Sequence, residues 1–265
     1  MIKLNMQINP NFILKTLYKT MTLTMPSMIY NPLSNTNLYI PIDIKPHSTY
    51  INFKLNHEHV QNLNSYIKEY NESLEIVPIQ LYKDGIADYY LSINIYNSTS
   101  PVFMTDKNII RCELNTYVMD AHGTKGTLIL DYMTNGMSMD PISLFKKNEH
   151  LKKIVFKKTN TDIFNIFCKS NFDDIYLNLN FTRSDIYPKQ LSYDLLEFTD
   201  NIFYKNGIMD KVYYDNTLLN PVLLGVTVKN VTFIYKNMLF DNLDSIFYFK
   251  DKLNFVGSMW DNLKF

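Results

Sequence analysis

The tightest constraint on what this chain can fold into is a pair of strand-like runs, 111–119 and 126–132, with Asp120-Ala121-His122-Gly123 between them. Gly123 takes positive φ at little cost, so the pair reads as a β-hairpin. Beyond the hairpin the chain runs through Asp140-Pro141-Ile142-Ser143-Leu144-Phe145 into two adjacent lysines, Lys146 and Lys147. Glu113 in the first run, together with that lysine pair, is where the sequence offers chemistry.

Period-two patterning recurs along the chain. With 20 Tyr and 17 Phe, the composition favours sheets over helices. There are only 7 Gly, so many turns must rely on Asn or Asp. Runs 75–82 and 88–96, linked through Gly85, are expected to join the hairpin as a four-stranded meander. Further strands are expected at 49–55, 153–158, 162–168 and 174–182, with a break at Tyr187-Pro188. After it come a short helix or strand at 193–198, strands at 201–205 and 208–215, an apolar run over 217–226 that ends at Gly225, and an alternating run over 228–235. A short helix at 241–246 and a strand at 246–250 would close the chain, with Trp260 anchoring the tail. One long helix stands out at 57–72, where Val60, Leu63, Ile67, Tyr70 and Leu74 recur at steps of three and four. Asn56 suits its N-cap and Glu58 its first turn. Pro26, Pro32, Pro41 and Pro46 punctuate an irregular N-terminal arm over 1–48, which leaves 49–265 as a single domain. The fold class is α+β, mostly β, built on a large antiparallel sheet or barrel.

Several function classes are disfavoured. Lys plus Arg and Asp plus Glu both number 26, so no net field steers the chain toward nucleic acid. The local cluster of Lys146, Lys147, Lys152, Lys153, Lys157 and Lys158 reads most simply as a solvated face. No run of about 18 apolar residues suggests a membrane span. Cys112 and Cys168 lack motif spacing and are expected to be buried free thiols in a reducing compartment, the cytoplasm. Lys3, Lys15 and Lys19 precede the first acidic residue, Asp43, as in an organelle transit peptide; the absence of Arg there, and Pro10 and Pro26, argue against one. His57 and His59 sit two apart on a helix and so face different ways, while His47, His122 and His150 are isolated; no metal site is expected. No phosphate-cradling loop or nucleophile elbow is present, and no cofactor is expected.

The expected hairpin 75–96, the strand Glu113-Leu114-Asn115-Thr116-Tyr117-Val118 and the turn Gly123-Thr124-Lys125-Gly126 resemble the acetoacetate decarboxylase-like superfamily. So do Leu196-Glu197-Phe198-Thr199-Asp200-Asn201-Ile202-Phe203-Tyr204-Lys205 and Asn220-Pro221-Val222-Leu223-Leu224. The resemblance covers roughly residues 75–230 and implies an antiparallel sheet closed into a cone-like β-barrel with a few outer helices. It also implies a lyase, a small organic acid as substrate and a homo-oligomer. In the decarboxylases a lysine forms a Schiff base with the keto acid, within a segment that ends Pro-Lys-Lys. Laid on that segment, Lys146 matches the Schiff-base lysine, Lys147 its neighbour and Asp140 a glutamate, while Glu113 matches a pocket carboxylate. Arg111 and Tyr117, on the same strand, would join Asp140 in contacting the substrate. Phe145 replaces the family's proline and Ser143 its glycine, and Asp140 is a shorter acid.

The chemistry of such a pair is definite. A lysine of ordinary pKa is protonated and unreactive at neutral pH. Burial or an adjacent cation frees the amine, and the imine it forms accepts electrons as carbon dioxide leaves. A carboxyl such as Glu113 would move the proton. Two bland readings stand beside this one. Lysine pairs are ordinarily solvated, and Arg111, on the strand face of Glu113, would pair with it as a purely structural salt bridge. On that reading the barrel is a non-catalytic binding or structural subunit of a larger assembly.

Overall fold

The computed structural model describes residues 39–44, 48–99, 109–134, 151–158, 163–170, 175–188, 192–199, 201–204, 207–209, 213–214, 222–249 and 253–258. Its strands begin with β1 (Tyr39–Ile44), β2 (Ser48–Lys54), β3 (Glu75–Ile76), β4 (Tyr90–Thr99), β5 (Ile109–Met119) and β6 (Lys125–Thr134). Then come β7 (Leu151–Lys158), β8 (Ile163–Ser170), β9 (Ile175–Pro188), β10 (Ile202–Tyr204), β11 (Gly207–Met209) and β12 (Tyr213–Tyr214). The last are β13 (Val222–Tyr235), β14 (Met238–Phe240), β15 (Leu243–Phe249) and β16 (Leu253–Ser258). Two helices are described, α1 (His57–Lys68) and α2 (Tyr193–Thr199).

All 16 strands belong to one sheet, whose main path runs β11-β10-β6-β5-β4-β2-β15-β13-β9-β8-β7. A branch leaves it at β4 through β1 to β16 and β12. The mostly β expectation is met, although the sheet is mixed: β10 lies parallel to β6, with Ile202 beside Thr127. The strand pairing among the described residues leaves the main path open at β11 and β7, so it forms no closed ring.

The β5–β6 hairpin forms where expected. Asp120 Oδ1 accepts from the backbone N–H groups of His122 and Thr124 at 2.9 and 2.8 Å. Gly123 sits at φ 82°, the left-handed conformation that a side chain would strain. Gly126 has a different role. A Cβ there would lie 2.6 Å from the Phe203 ring and 2.7 Å from the Asn201 carbonyl, so its bare backbone lets β10 approach β6.

Helix α1 also matches its pattern. The Asn56 side chain accepts from His59 N at 2.8 Å, and Leu63 and Ile67 are buried. It ends at Lys68, short of the expected 72: Tyr70 N and Asn71 N both donate to Ile67 O, at 3.1 and 2.9 Å, and Asn71 Oδ1 then accepts from Ser73 N at 3.1 Å as the chain turns.

Other expectations are corrected. The run 75–82 is a strand only at Glu75–Ile76, and it pairs with Met119 and Val118 of β5 rather than with β4. Val77 N still donates to Tyr117 O at 3.0 Å, Pro78 comes next, and only an isolated bridge, Ile79 with Asp88, joins the two runs. β3 and β4 therefore share one edge of β5, which makes the four-stranded meander wrong. Strand β9 runs through Tyr187 to Pro188, its last residue, where a missing N–H is tolerated. Residues 222–226 and 228–235, expected as separate segments, belong to one strand, β13, with irregularities at Gly225/Val226 and Val228/Asn230. Of the expected strand 208–215, Ile208 and Met209 belong to β11 and Tyr213–Tyr214 form β12, while 210–212 and 215 lie outside the described residues. The helix expected at 241–246 is absent; pairing of β15 with β2, Ile246 against Ile51, overrides its weak helical period. Trp260 and the helix anticipated near 10–19 lie outside the described residues.

The main core lies on one face of the sheet. It joins Ile51 and Phe53 of β2, Leu91, Ile93 and Ile95 of β4, and Cys112, Leu114 and Val118 of β5 to Leu177 and Leu179 of β9. Phe53, Phe233 and Phe240 stack through centroid distances of 5.2 and 5.1 Å. The sheet is strongly curled. Cys168 of β8 touches Met133 of β6 at 3.4 Å, although several strands separate β6 from β8 along the path.

A buried polar face on the central strands

Alternation along β5 sends Arg111, Glu113, Asn115 and Tyr117 to the face opposite that core. Cross-strand register adds Ser92, Asn94 and Tyr96 from β4, which stand beside Asn115, Glu113 and Arg111. β2 contributes Tyr50 and Asn52, opposite Asn94 and Ser92. An antiparallel sheet ordinarily leaves its polar face in water. Here Arg111 is 1% exposed, Glu113 6% and Tyr117 1%.

The charges are held at close quarters. The Tyr96 hydroxyl donates to Glu113 Oε1, and the Arg111 guanidinium lies over the Tyr96 ring, 5.7 Å from its centroid. A tyrosine that binds the acid through its hydroxyl and the cation through its ring places both charges beside one aromatic side chain.

Toward the other end of the face the groups are neutral. Asn52 Nδ2 donates to Ser245 Oγ at 3.1 Å, and Ser92 Oγ donates to Asn52 Oδ1 at 2.7 Å. Ser92 Oγ and the Tyr117 hydroxyl stand 3.3 Å apart, and the Tyr117 and Tyr50 hydroxyls 3.5 Å apart. Asn115 Nδ2 reaches Tyr50 at 3.5 Å, while Asn115 Oδ1 and Ser48 Oγ, both buried, have no hydrogen-bond partner among the described residues. Buried orphan acceptors of this kind call for a guest or a water. Burial pushes the Tyr117 phenol well above its ordinary pKa, and burial likewise raises Tyr50.

Helix α2 closes this end. Ser192 Oγ caps it by accepting from Leu195 N at 2.9 Å, and Asp194 Oδ2 accepts from Gln80 N at 3.0 Å. The helix thereby presents Phe198 edge-on to Tyr117, with centroids 5.7 Å apart at 89°. Leu195, Phe198, Ile79 and Leu81 form a small second apolar cluster with Tyr117.

Of the residues the sequence singles out, Arg111, Glu113 and Tyr117 share this one face. Lys146, Lys147 and Asp140 lie outside the described residues. Sequence reasoning missed Tyr96, the hydroxyl partner of Glu113, and the neutral group Tyr50, Asn52, Ser92 and Asn115. The signal was present: Tyr90, Ser92, Asn94 and Tyr96 alternate with Leu91, Ile93 and Ile95 in period two. Among the described residues, no group of three or more His, Cys, Asp or Glu side chains could hold a metal ion, and no helix is long and apolar enough to cross a membrane.

No protein-family model matches the chain, and no curated protein matches it. A solved structure, acetoacetate decarboxylase from Legionella pneumophila subsp. pneumophila str. Philadelphia 1, aligns at 12% identity over 88% of this chain and 91% of that one, with a TM-score of 0.45. At that level the likeness carries no assignment of fold or activity.

Proposed function

We propose that the polar face of β4, β5 and β2 is the wall of a small-organic-acid site, in an acetoacetate decarboxylase-like barrel that acts as a Schiff-base lyase. The observation that carries the reading is the burial of a cation and an acid together, Arg111 and Glu113, on a sheet face that water ordinarily covers. Closure into a barrel is supported by chain connectivity. The path β11-β10-β6-β5-β4-β1-β16-β12 has ends separated by only residues 210–212, so it bends back on itself.

In this reading Arg111 holds the substrate carboxylate, with Tyr117 and Asp140 completing the contacts. The Lys146 amine, freed by the adjacent Lys147 cation, adds to the keto carbon and expels water to give an imine. The bond to the carboxylate breaks, carbon dioxide leaves, and the electron pair passes into the imine. Glu113 returns a proton to the carbon, and water releases the product. The chain leaves β6 at Thr134, directly opposite Arg111 in the ladder, and the lysine segment follows from that point. The test is reductive trapping: incubate with acetoacetate, reduce with borohydride, digest and weigh the peptides. The expected result is added mass on the peptide containing Lys146, lost in Lys146→Ala. If no lysine is trapped across a panel of β-keto acids, the lyase reading is wrong.

One observation favours a second reading. The Tyr96 hydroxyl and ring already serve Glu113 and Arg111, as in a self-sufficient polar core. The barrel would then be a catalytically inactive binding or structural subunit, identified by co-purification with a stoichiometric partner and no trapped lysine.

A further inference from the structure

The chain has 2 cysteines, and the fold brings both to the same methionine. Cys112 and Met133 stand opposite one another in the β5–β6 ladder. From β8 the Cys168 thiol donates to Met133 Sδ at 3.4 Å and also lies within hydrogen-bonding reach of Cys112. Both cysteines are free, and all three side chains are buried in the main core.

We propose that Cys112, Cys168 and Met133 form a trigonal site for a soft monovalent metal ion, Cu(I). The donor set holds only sulfur, and thiolate with thioether selects Cu(I) over harder ions. Metal–sulfur bonds of about 2.3 Å in a trigonal plane place the sulfurs about 4 Å apart. The observed 3.4 Å contact is about 0.6 Å shorter than that spacing, so the sulfurs must part by that much as the ion enters. Charge fits as well. Cu(I) with one thiolate, the second thiol and the thioether is neutral and tolerates apolar walls. Binding forms the sulfur–copper bond at one thiol and releases that thiol's proton to solvent. No electron is transferred.

The test uses the full chain, reduced and held without oxygen, titrated with Cu(I) in competition with bicinchoninate. One Cu(I) is expected to bind per chain, with a thiolate-to-copper absorption band and release of a proton. Met133→Leu nearly conserves volume and should fold, as circular dichroism will check. It is expected to bind ~10- to 100-fold more weakly, the scale on which a lost partner is felt at metal sites. Cys112→Ala and Cys168→Ala are expected to remove the band, and Zn(II) is expected not to compete. No binding by the reduced chain, or binding that survives in a folded Met133→Leu variant and in both cysteine variants without change, overturns the proposal.

Discussion

The two faces of β5 are both buried and are built by opposite rules. One face carries Cys112, Leu114 and Val118 into a continuous apolar core. The other carries Arg111, Glu113, Asn115 and Tyr117 into a dry polar layer. On the first face, removal of apolar surface from water is a sufficient reason for every residue. On the second it is not. Burying an ion costs several kcal/mol even when it is paired, and apolar replacements of similar volume are often as stable or more so. A face that keeps its charges at that cost is under a demand other than stability.

The contrast can be broken or sharpened by substitution. The largest effect is expected on the apolar face: Phe53→Ala, at the centre of the Phe53–Phe233–Phe240 stack, should cost about 3–5 kcal/mol in urea unfolding. A much smaller loss would mean the core is looser than its packing implies. On the polar face, Tyr96→Phe removes the hydroxyl that serves Glu113 and should cost about 1–3 kcal/mol by the same measurement. No loss would show that water or another group takes over the carboxylate.

The smallest effect is in pH dependence. Burial raises the folded-state pKa of Tyr117 above 10.0, its ordinary value. The folded state then holds the phenolic proton more tightly than the unfolded state. Its contribution is intact below pH 10.0 and is lost as pH rises beyond that value, by at most about 1.4 kcal/mol per pH unit. Tyr117→Phe should flatten that alkaline fall, as read from urea midpoints on either side of pH 10.0. An unchanged slope would remove Tyr117 from the set of titrating buried groups.

What was legible in the sequence was local. The β5–β6 hairpin announces itself through Asp120 and Gly123, which set the turn with their own side-chain acceptor and backbone freedom. Helix α1 announces itself through Asn56 and the spacing of Leu63 and Ile67. Misreadings fell where a distant strand decides. The residues after Ile76 were misassigned because β3 pairs with β5, across the β4 segment in sequence. β15 was read partly as helix because its partner, β2, lies far away in the chain. The candidate site was legible by half. Arg111, Glu113 and Tyr117 follow from period two on one strand. Tyr96 and Tyr50 needed the register between strands, and the meeting of Cys112 with Cys168 needed the curl of the whole sheet.

The claim that the polar face exists to hold an acid is tested most directly by ligand-linked stability. A ligand that binds only the folded chain raises its unfolding midpoint with concentration. Urea unfolding of the wild-type chain and of Arg111→Met, each across a series of acetoacetate concentrations, separates the outcomes. The expected result is a rising midpoint in the wild type and a flat one in Arg111→Met. A flat response in both, or an equal rise in both, would contradict it.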